Sequence, residues 1–209
     1  MISGLYAVTT AFYQDTPDLV ERTADIVEGG ACAVLYRDKN SPAETRLEQA
    51  NALRDVCQQH KVPLLINDDI DLAHRVGASG VHVGKNDSSL AEARAVLGSK
   101  AIIGVSCYAS MRRAVQAQQH GANYVSFGSL YKSTTKPLAE IAPVNLISSA
   151  RELLDVNVIA IGGITLDNAP SVIDAGAHAV AATTALYGAE NSKQTAQAFA
   201  AFFEPAPEH

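Results

Sequence analysis

A single (β/α)8 TIM barrel is the fold this sequence predicts, and three observations predict it. Short apolar runs recur near residues 5, 33, 64, 81, 102, 124, 158 and 180. Each is followed by a stretch with helical apolar spacing, giving repeats of about 20 to 30 residues, the size of a βα unit. The last two runs open into Gly162-Gly163 and Thr183-Thr184, the loops where barrels recurrently hold phosphate. A doubly wound open sheet is second, because it uses the same units without closing them.

The chain has 209 residues, enough for one substantial core, and no Pro/Gly/Ser-rich or charge-block stretch divides it. We expect one barrel domain over residues 1–204 and a disordered tail over 205–209. The formal net charge of −6 argues against a broad nucleic-acid or membrane-surface footprint, so any anionic ligand must be met locally. Cys32, Cys57 and Cys107 are odd in number and include no CxxC pair, which fits buried thiols in a reducing compartment. The N-terminal MISGLYAVTT lacks a basic n-region and a long apolar h-region, and no run approaches the roughly 18 apolar residues that span a bilayer. A cytoplasmic protein with small-molecule partners is expected, with no nucleic acid and no membrane. A homo-oligomer is left open.

Leu5 to Val8 reads as the first strand, followed by a helix from about Thr16 to Glu28 with Pro17 just behind a capping Thr16. Gly29-Gly30 ends it. Cys32 to Tyr36 is the second strand, and Arg37, Asp38 and Lys39 stand at its end. Residues two apart on an extended chain project to one side, so Arg37 and Lys39 can reach one anion together, Arg as a planar fork and Lys as a point charge. A solvated loop is the plainer reading of these three. A long helix from about Pro42 to His60 follows, with Ser41 as its N-cap.

Leu64-Leu65-Ile66 has no polar face, as a parallel strand covered on both sides requires, and it stops at Asn67-Asp68-Asp69. Ile70, Leu72, Ala73 and Val76 then recur with helical spacing. Gly77 ends that helix, and Val81-His82-Val83 forms the next strand before Gly84 and Asp87. Asp68 and Asp87 thus follow neighbouring strand ends and share one rim. Two carboxylates brought together repel unless a proton or a cation separates them, and a hard divalent ion with oxygen ligands is the ordinary solution. Magnesium suits the pair, since it takes one or two carboxylates and fills its remaining positions with water and substrate phosphate. Helix capping by Asp68, Asp69 and Asp87 is the competing reading, and spacing alone does not separate the two.

Ser88 reads as the cap of a helix reaching Leu97, and Gly98 turns the chain into the strand Ala101 to Val105, which ends at Ser106. Ser106 is either a ligand-facing hydroxyl or a turn residue. With no His and Asp arranged beside it, it is not an activated nucleophile. A helix from Ser110 to His120 closes at Gly121, and the strand Tyr124 to Phe127 leads through Gly128 into the loop SLYKSTTKP. There Ser133, Thr134 and Thr135 offer hydroxyls and backbone N–H groups and Lys136 a charge, which suits phosphate oxygens or simply a polar surface loop. A helix from about Pro143 to Leu154 precedes the strand Val158 to Ile161, and the final strand lies near Ala179 to Ala182. Gly162 and Gly163 between them let backbone approach a ligand closely.

Taken together these segments resemble the thiamine-phosphate synthase family, from LYAVTT to AATTAL. That family's Gln-x-Arg-x-Lys segment is similar to Leu35 to Lys39, and its Asn-Asp pair to Asn67-Asp68. Its Gly-Val-His-x-Gly-x-x-Asp element is similar to Gly80 to Asp87, and its Gly-Val-Ser to Gly104 to Ser106. The Thr-x-Thr-Lys loop resembles Ser133 to Lys136, the Ile-Gly-Gly-Ile turn Ile161 to Ile164, and the last phosphate turn Thr183-Thr184. The resemblance implies a transferase that joins 4-amino-2-methyl-5-hydroxymethylpyrimidine diphosphate to 4-methyl-5-(2-phosphoethyl)thiazole with Mg²⁺. It implies that Arg37, Lys39, Asn67 and Lys136 bind the pyrimidine diphosphate, alongside Leu35, Tyr36 and Asp38 of the same segment. Ser106 would meet the pyrimidine amino group, and Asp68 and Asp87 the metal. Ser133 to Thr135, Gly163 and Thr183-Thr184 would hold the thiazole phosphate.

Leu35 stands where the family has Gln, which removes one polar contact to the pyrimidine. A lost hydrogen bond of this kind is worth on the order of 0.5 to 1.5 kcal/mol. Ser133 and Thr184 replace Thr and Ser and keep the hydroxyl. Two rival activities follow from the same barrel. A thiazole tautomerase shares the thiazole-phosphate site but needs no diphosphate clamp, so Arg37, Lys39, Asp68, Asp87 and Lys136 together favour the synthase. A catalytically silent protein binding a thiamine precursor is the other, supported mainly by Leu35.

Overall fold

Each apolar run becomes a strand whose alternate residues enter two different cores, which is why the runs carry no polar face. The computed structural model describes residues 2–10, 13, 15–84, 90–133 and 140–204. The strands are β1 (Gly4–Val8), β2 (Ala31–Tyr36), β3 (Leu64–Asn67), β4 (Gly80–Val83), β5 (Ile102–Tyr108), β6 (Tyr124–Phe127), β7 (Asn157–Ile161) and β8 (Ala179–Ala182). All pairings are parallel and follow chain order, and β8 returns to pair with β1. Closure of the ring excludes the open sheet.

Helices alternate with the strands: α1 (Thr16–Glu28), α2 (Ala43–Gln59), α3 (Ile70–Val76), α4 (Leu90–Leu97), α5 (Met111–Gln119), α6 (Asn145–Leu153) and α7 (Ala169–Asp174), then α8 (Thr184–Tyr187) and α9 (Ser192–Ala201). Residues such as Val34, Tyr36, Leu64, Ile66, Val81, Val125 and Val180 face the helices and form the outer core with Leu19, Ile26, Leu53 and Phe199. Their neighbours Tyr6, Val8, Ala33, Leu35, Leu65, Tyr124, Ile159, Ala179 and Ala181 point inward and fill the barrel axis. Gly104 makes room there, because a Cβ on it would run into the Tyr124 ring.

Two helix starts differ from expectation. Asp15 rather than Thr16 caps α1, its side chain accepting from the Asp18 N–H at 2.9 Å, and Thr16 is the first helical residue. Adjacent oxygens both satisfy the capping pattern, and Pro17 then sits inside the first turn, where its missing N–H costs nothing. Ser41 does not cap α2, whose cap is Pro42 with no side-chain bond. The Ser41 N–H is instead bonded to Asp38 at 3.0 Å. Asp69 caps α3, accepting from the Leu72 N–H at 2.9 Å, and Ser110 caps α5. Among the described residues no helix is long and apolar enough to cross a membrane.

Candidate active site

The carboxyl ends of the strands surround a cavity of about 1110 Å³, and beside it, over β2 and β3, lies a recess of about 450 Å³. Leu35, Arg37, Asn67, His82, Ser106, Ser133, Gly163, Thr183 and Thr184 all line the cavity. Lys39, Asp38 and Asp68 line the recess, and Asn67 borders both. Expected site residues therefore gather at one end of the barrel but divide between two adjoining spaces. Asp87, Thr134, Thr135 and Lys136 lie outside the described residues, as does Ser88.

Strand alternation sorts the segment after β2. Ala33 and Leu35 point inward and Arg37 continues their side into the cavity, whereas Val34 and Tyr36 point to the helices. Tyr36 is thus corrected: its ring is buried in the outer core and its hydroxyl donates to Gln49 Oε1 at 2.7 Å, away from the mouth. Asp38 lines the recess, but its carboxylate is engaged by its own loop. Its carboxylate accepts from the Asn40 and Ser41 N–H groups at 2.9 and 3.0 Å and from the Tyr13 hydroxyl at 3.2 Å. Burial resists ionisation of Asp38, but a hydrogen bond from the Ser41 side chain together with these bonds outweighs it and holds its carboxyl below the usual range. Asp38 shapes the loop that separates Arg37 from Lys39.

At the end of β3, Asp68 takes φ +65, a left-handed conformation that Asp tolerates better than most residues. This turn swings its carboxylate onto Lys39 Nζ at 2.8 Å, while the Asn67 amide donates to it at 2.6 Å. Arg46 and Asp69 pair alongside at 3.0 Å. Capping at this turn thus falls to Asp69, and Asp68 pairs with Lys39 instead.

The cavity floor holds polar groups that sequence reasoning passed over. His82 Nδ1 lies 2.9 Å from the Tyr124 hydroxyl, which is 3.0 Å from that of Tyr6, and the His82 and Tyr124 rings stack at 5.4 Å. Ser126 Oγ stands 3.4 Å from His82 Nε2. Burial raises both phenols well above their ordinary pKa, so they act as neutral hydrogen-bonding groups. One signal was present in the sequence: polar His82, Tyr124 and Ser126 interrupt strands that are otherwise apolar.

On the opposite rim, backbone dominates. Leu130 and Tyr131 donate their N–H groups to Ile161 and Gly162 carbonyls at 3.1 and 3.0 Å, tying the chain after β6 to the turn after β7. Gly162 and Gly163 take φ +98 and +66, and a Cβ on either would collide with that chain, Ser129 in one case and Tyr131 and Lys132 in the other. Asn168 clamps the same turn, donating to the Gly163 carbonyl and accepting from the Thr165 N–H, each at 2.9 Å.

A family model described as thiamine monophosphate synthase matches residues 5–186. A protein named thiamine-phosphate synthase from Thioalkalivibrio sulfidiphilus is 46% identical over 203 residues, covering 97% of this chain and 96% of its own. One of the same name from Azoarcus sp. is 45% identical over 202 residues, covering 97% and 98%. The solved structure of a thiamine phosphate pyrophosphorylase from Pyrococcus furiosus matches with a TM-score of 0.86 at 30% identity, over 96% of this chain and 95% of that one. A 3-hexulose-6-phosphate synthase, at 18% identity and a TM-score of 0.70 over 96% and 100%, shares the fold alone.

Proposed function

The chain belongs to the thiamine monophosphate synthase family and is a transferase of that kind, and from that premise we propose how its barrel mouth joins the pyrimidine diphosphate to the thiazole phosphate. One observation carries the proposal: Asn67 borders both spaces. A diphosphate lying across it would meet Arg37 on the cavity side and Lys39 and Asp68 on the recess side. The pyrimidine ring would then occupy the cavity above Leu35, His82 and Ser106, and the thiazole phosphate the Gly163 and Thr183-Thr184 side.

Asp68 fits a divalent ion. Its donors and those of Asn67 are hard oxygens, and the carboxylate is already turned to a cation. Among the described residues no three His, Cys, Asp or Glu side chains form a metal site by themselves, and a magnesium ion shared with phosphate and water does not require one. Asp68 and Asp87 would hold Mg²⁺, which when bound would neutralise charge on the diphosphate. Asp87, Lys136, Thr134 and Thr135 enter through the family resemblance.

In the reaction the bond from the pyrimidine methylene carbon to the diphosphate oxygen breaks, and the electron pair leaves with diphosphate. The thiazole nitrogen then gives its lone pair to that carbon, and no proton need move. Charge grows on the leaving group, so Arg37, Lys39 and Lys136 lower the barrier by facing it from fixed positions. Ser106 would orient the ring amino group, whose electron donation stabilises the cationic ring between the two steps. The chemistry needs no protein nucleophile, because the thiazole nitrogen is the nucleophile. We also place the chain in the cytoplasm, which its three free cysteines support, the buried Cys57 and Cys107 thiols being pushed up to about 12 by burial.

The test is to incubate the purified protein with both substrates and Mg²⁺ and convert the product to fluorescent thiochrome phosphate. Thiamine phosphate is expected with the metal and a much lower yield without it. No product with both substrates and Mg²⁺ present refutes the reading. Equal yield from Asp87→Ala refutes the metal assignment.

A further inference from the structure

Arg113 lies in the first turn of α5, where a cation opposes the helix dipole, so the helix does not account for it. Its Nε donates to the Ser106 carbonyl at 2.7 Å and its Nη2 to the Gly84 carbonyl at 2.8 Å. The guanidinium carbon stands 6.0 Å from the centroid of the Tyr108 ring. Both carbonyls occur where regular pairing fails. The β5–β6 register shifts between Ser106 and Tyr108, Tyr108 takes φ +55, and Gly84 is one residue past the end of β4. A planar fork can hold two such oxygens at a fixed separation, which a lysine cannot do.

We propose that Arg113 is a positioning residue for the pyrimidine half of the site. It sets the spacing between the ends of β4 and β5, and so fixes where the Ser106 hydroxyl meets the substrate. This rests on the assignment of Ser106 to the pyrimidine under the proposed function. Gly163 and Thr183-Thr184 follow other strands, β7 and β8, away from the two carbonyls that Arg113 holds, so the thiazole phosphate is not affected.

The experiment compares Arg113→Met and Arg113→Lys with the wild type in steady-state synthesis of thiamine phosphate, with KM measured for each substrate and a thermal melt for each protein. Loss of two charge-assisted bonds is expected to raise KM for the pyrimidine diphosphate about tenfold in Arg113→Met, with KM for the thiazole phosphate within about twofold. Arg113→Lys, which can satisfy one carbonyl, recovers part of the loss. If Arg113→Met fails to fold, the same outcomes are read from Arg113→Lys. Both KM values within about twofold of wild type, a rise confined to the thiazole phosphate, or a fall in kcat with both KM values unchanged overturns the inference. A wild-type protein that makes no thiamine phosphate overturns the synthase reading instead, and no variant is needed to see it.

Discussion

The two rims of the barrel mouth are built from different materials. Over β2 and β3 the groups are charged side chains, with Lys39 on Asp68 at 54% and 19% exposure and Arg46 on Asp69 beside them. Over β6 and β7 they are backbone amides, carbonyls and glycines with no space for a Cβ. The first rim can exchange partners, because a half-exposed ion pair is worth about 0 to 1 kcal/mol and gives way readily to a stronger anion. The second is shaped before any ligand arrives. Changes on the charged rim should therefore lower rate without unfolding the protein, and changes on the backbone rim should do both.

Gly163→Ala tests the backbone rim and carries the largest expected effect. Its φ of +66 costs a side chain about 1 to 2 kcal/mol, and the collision with Tyr131 and Lys132 adds about 1 to 3 kcal/mol. The melting temperature should fall by roughly 5 to 15 °C, and the KM for the thiazole phosphate should rise. A variant that melts with the wild type would mean that this turn is not preformed. Lys39→Met tests the charged rim. Its kcat should drop about a hundredfold, as for loss of one transition-state donor, with a melting temperature within about 3 °C of wild type. Unfolding of this variant would erase the contrast between the rims.

Leu35→Gln sharpens the same contrast, because Leu35 is an apolar residue facing the cavity just before Arg37 and is buried beside Val8 and Leu65. Restoring an amide should lower the KM for the pyrimidine diphosphate by a few fold, matching about 0.5 to 1.5 kcal/mol for one hydrogen bond, and cost some stability. A KM that is unchanged or higher would show that the polar groups of the cavity floor have taken over that contact.

The strands were legible because a barrel wall covered on both faces leaves apolar runs that polar residues terminate at each rim. Sorting within the rims was less so. Tyr36 was grouped with Leu35, Arg37 and Lys39 as one contiguous segment, although strand alternation already assigns it, like Val34, to the helix layer. Which of Asp68 and Asp69 caps α3 needed the left-handed turn at Asp68, and Thr16 against Asp15 needed the actual path of the chain. Arg113 had no signature at all, since its partners are backbone carbonyls 7 and 29 positions away.

The smallest effect concerns what keeps the charged rim divided. Tyr13 bonds Asp38 at 3.2 Å and Gln49 at 3.3 Å, linking the chain after β1 to the loop after β2. Tyr13→Phe should cost about 0.5 to 1 kcal/mol at neutral pH. The carboxyl of Asp38 is held below its ordinary value in the folded protein, so between the two values the unfolded chain binds more protons. That contribution is complete above about pH 4 and is lost as the pH falls through the folded-state value. Tyr13→Phe removes one of the bonds that depress it, so the variant should lose less on acidification than the wild type. Melting curves at pH 7, 4 and 3 should show the gap between the two proteins narrowing below about pH 4. A gap that stays constant would mean that Tyr13 acts through Gln49 alone, and that the bonds from Asn40 and Ser41 suffice to hold the Asp38 carboxyl down.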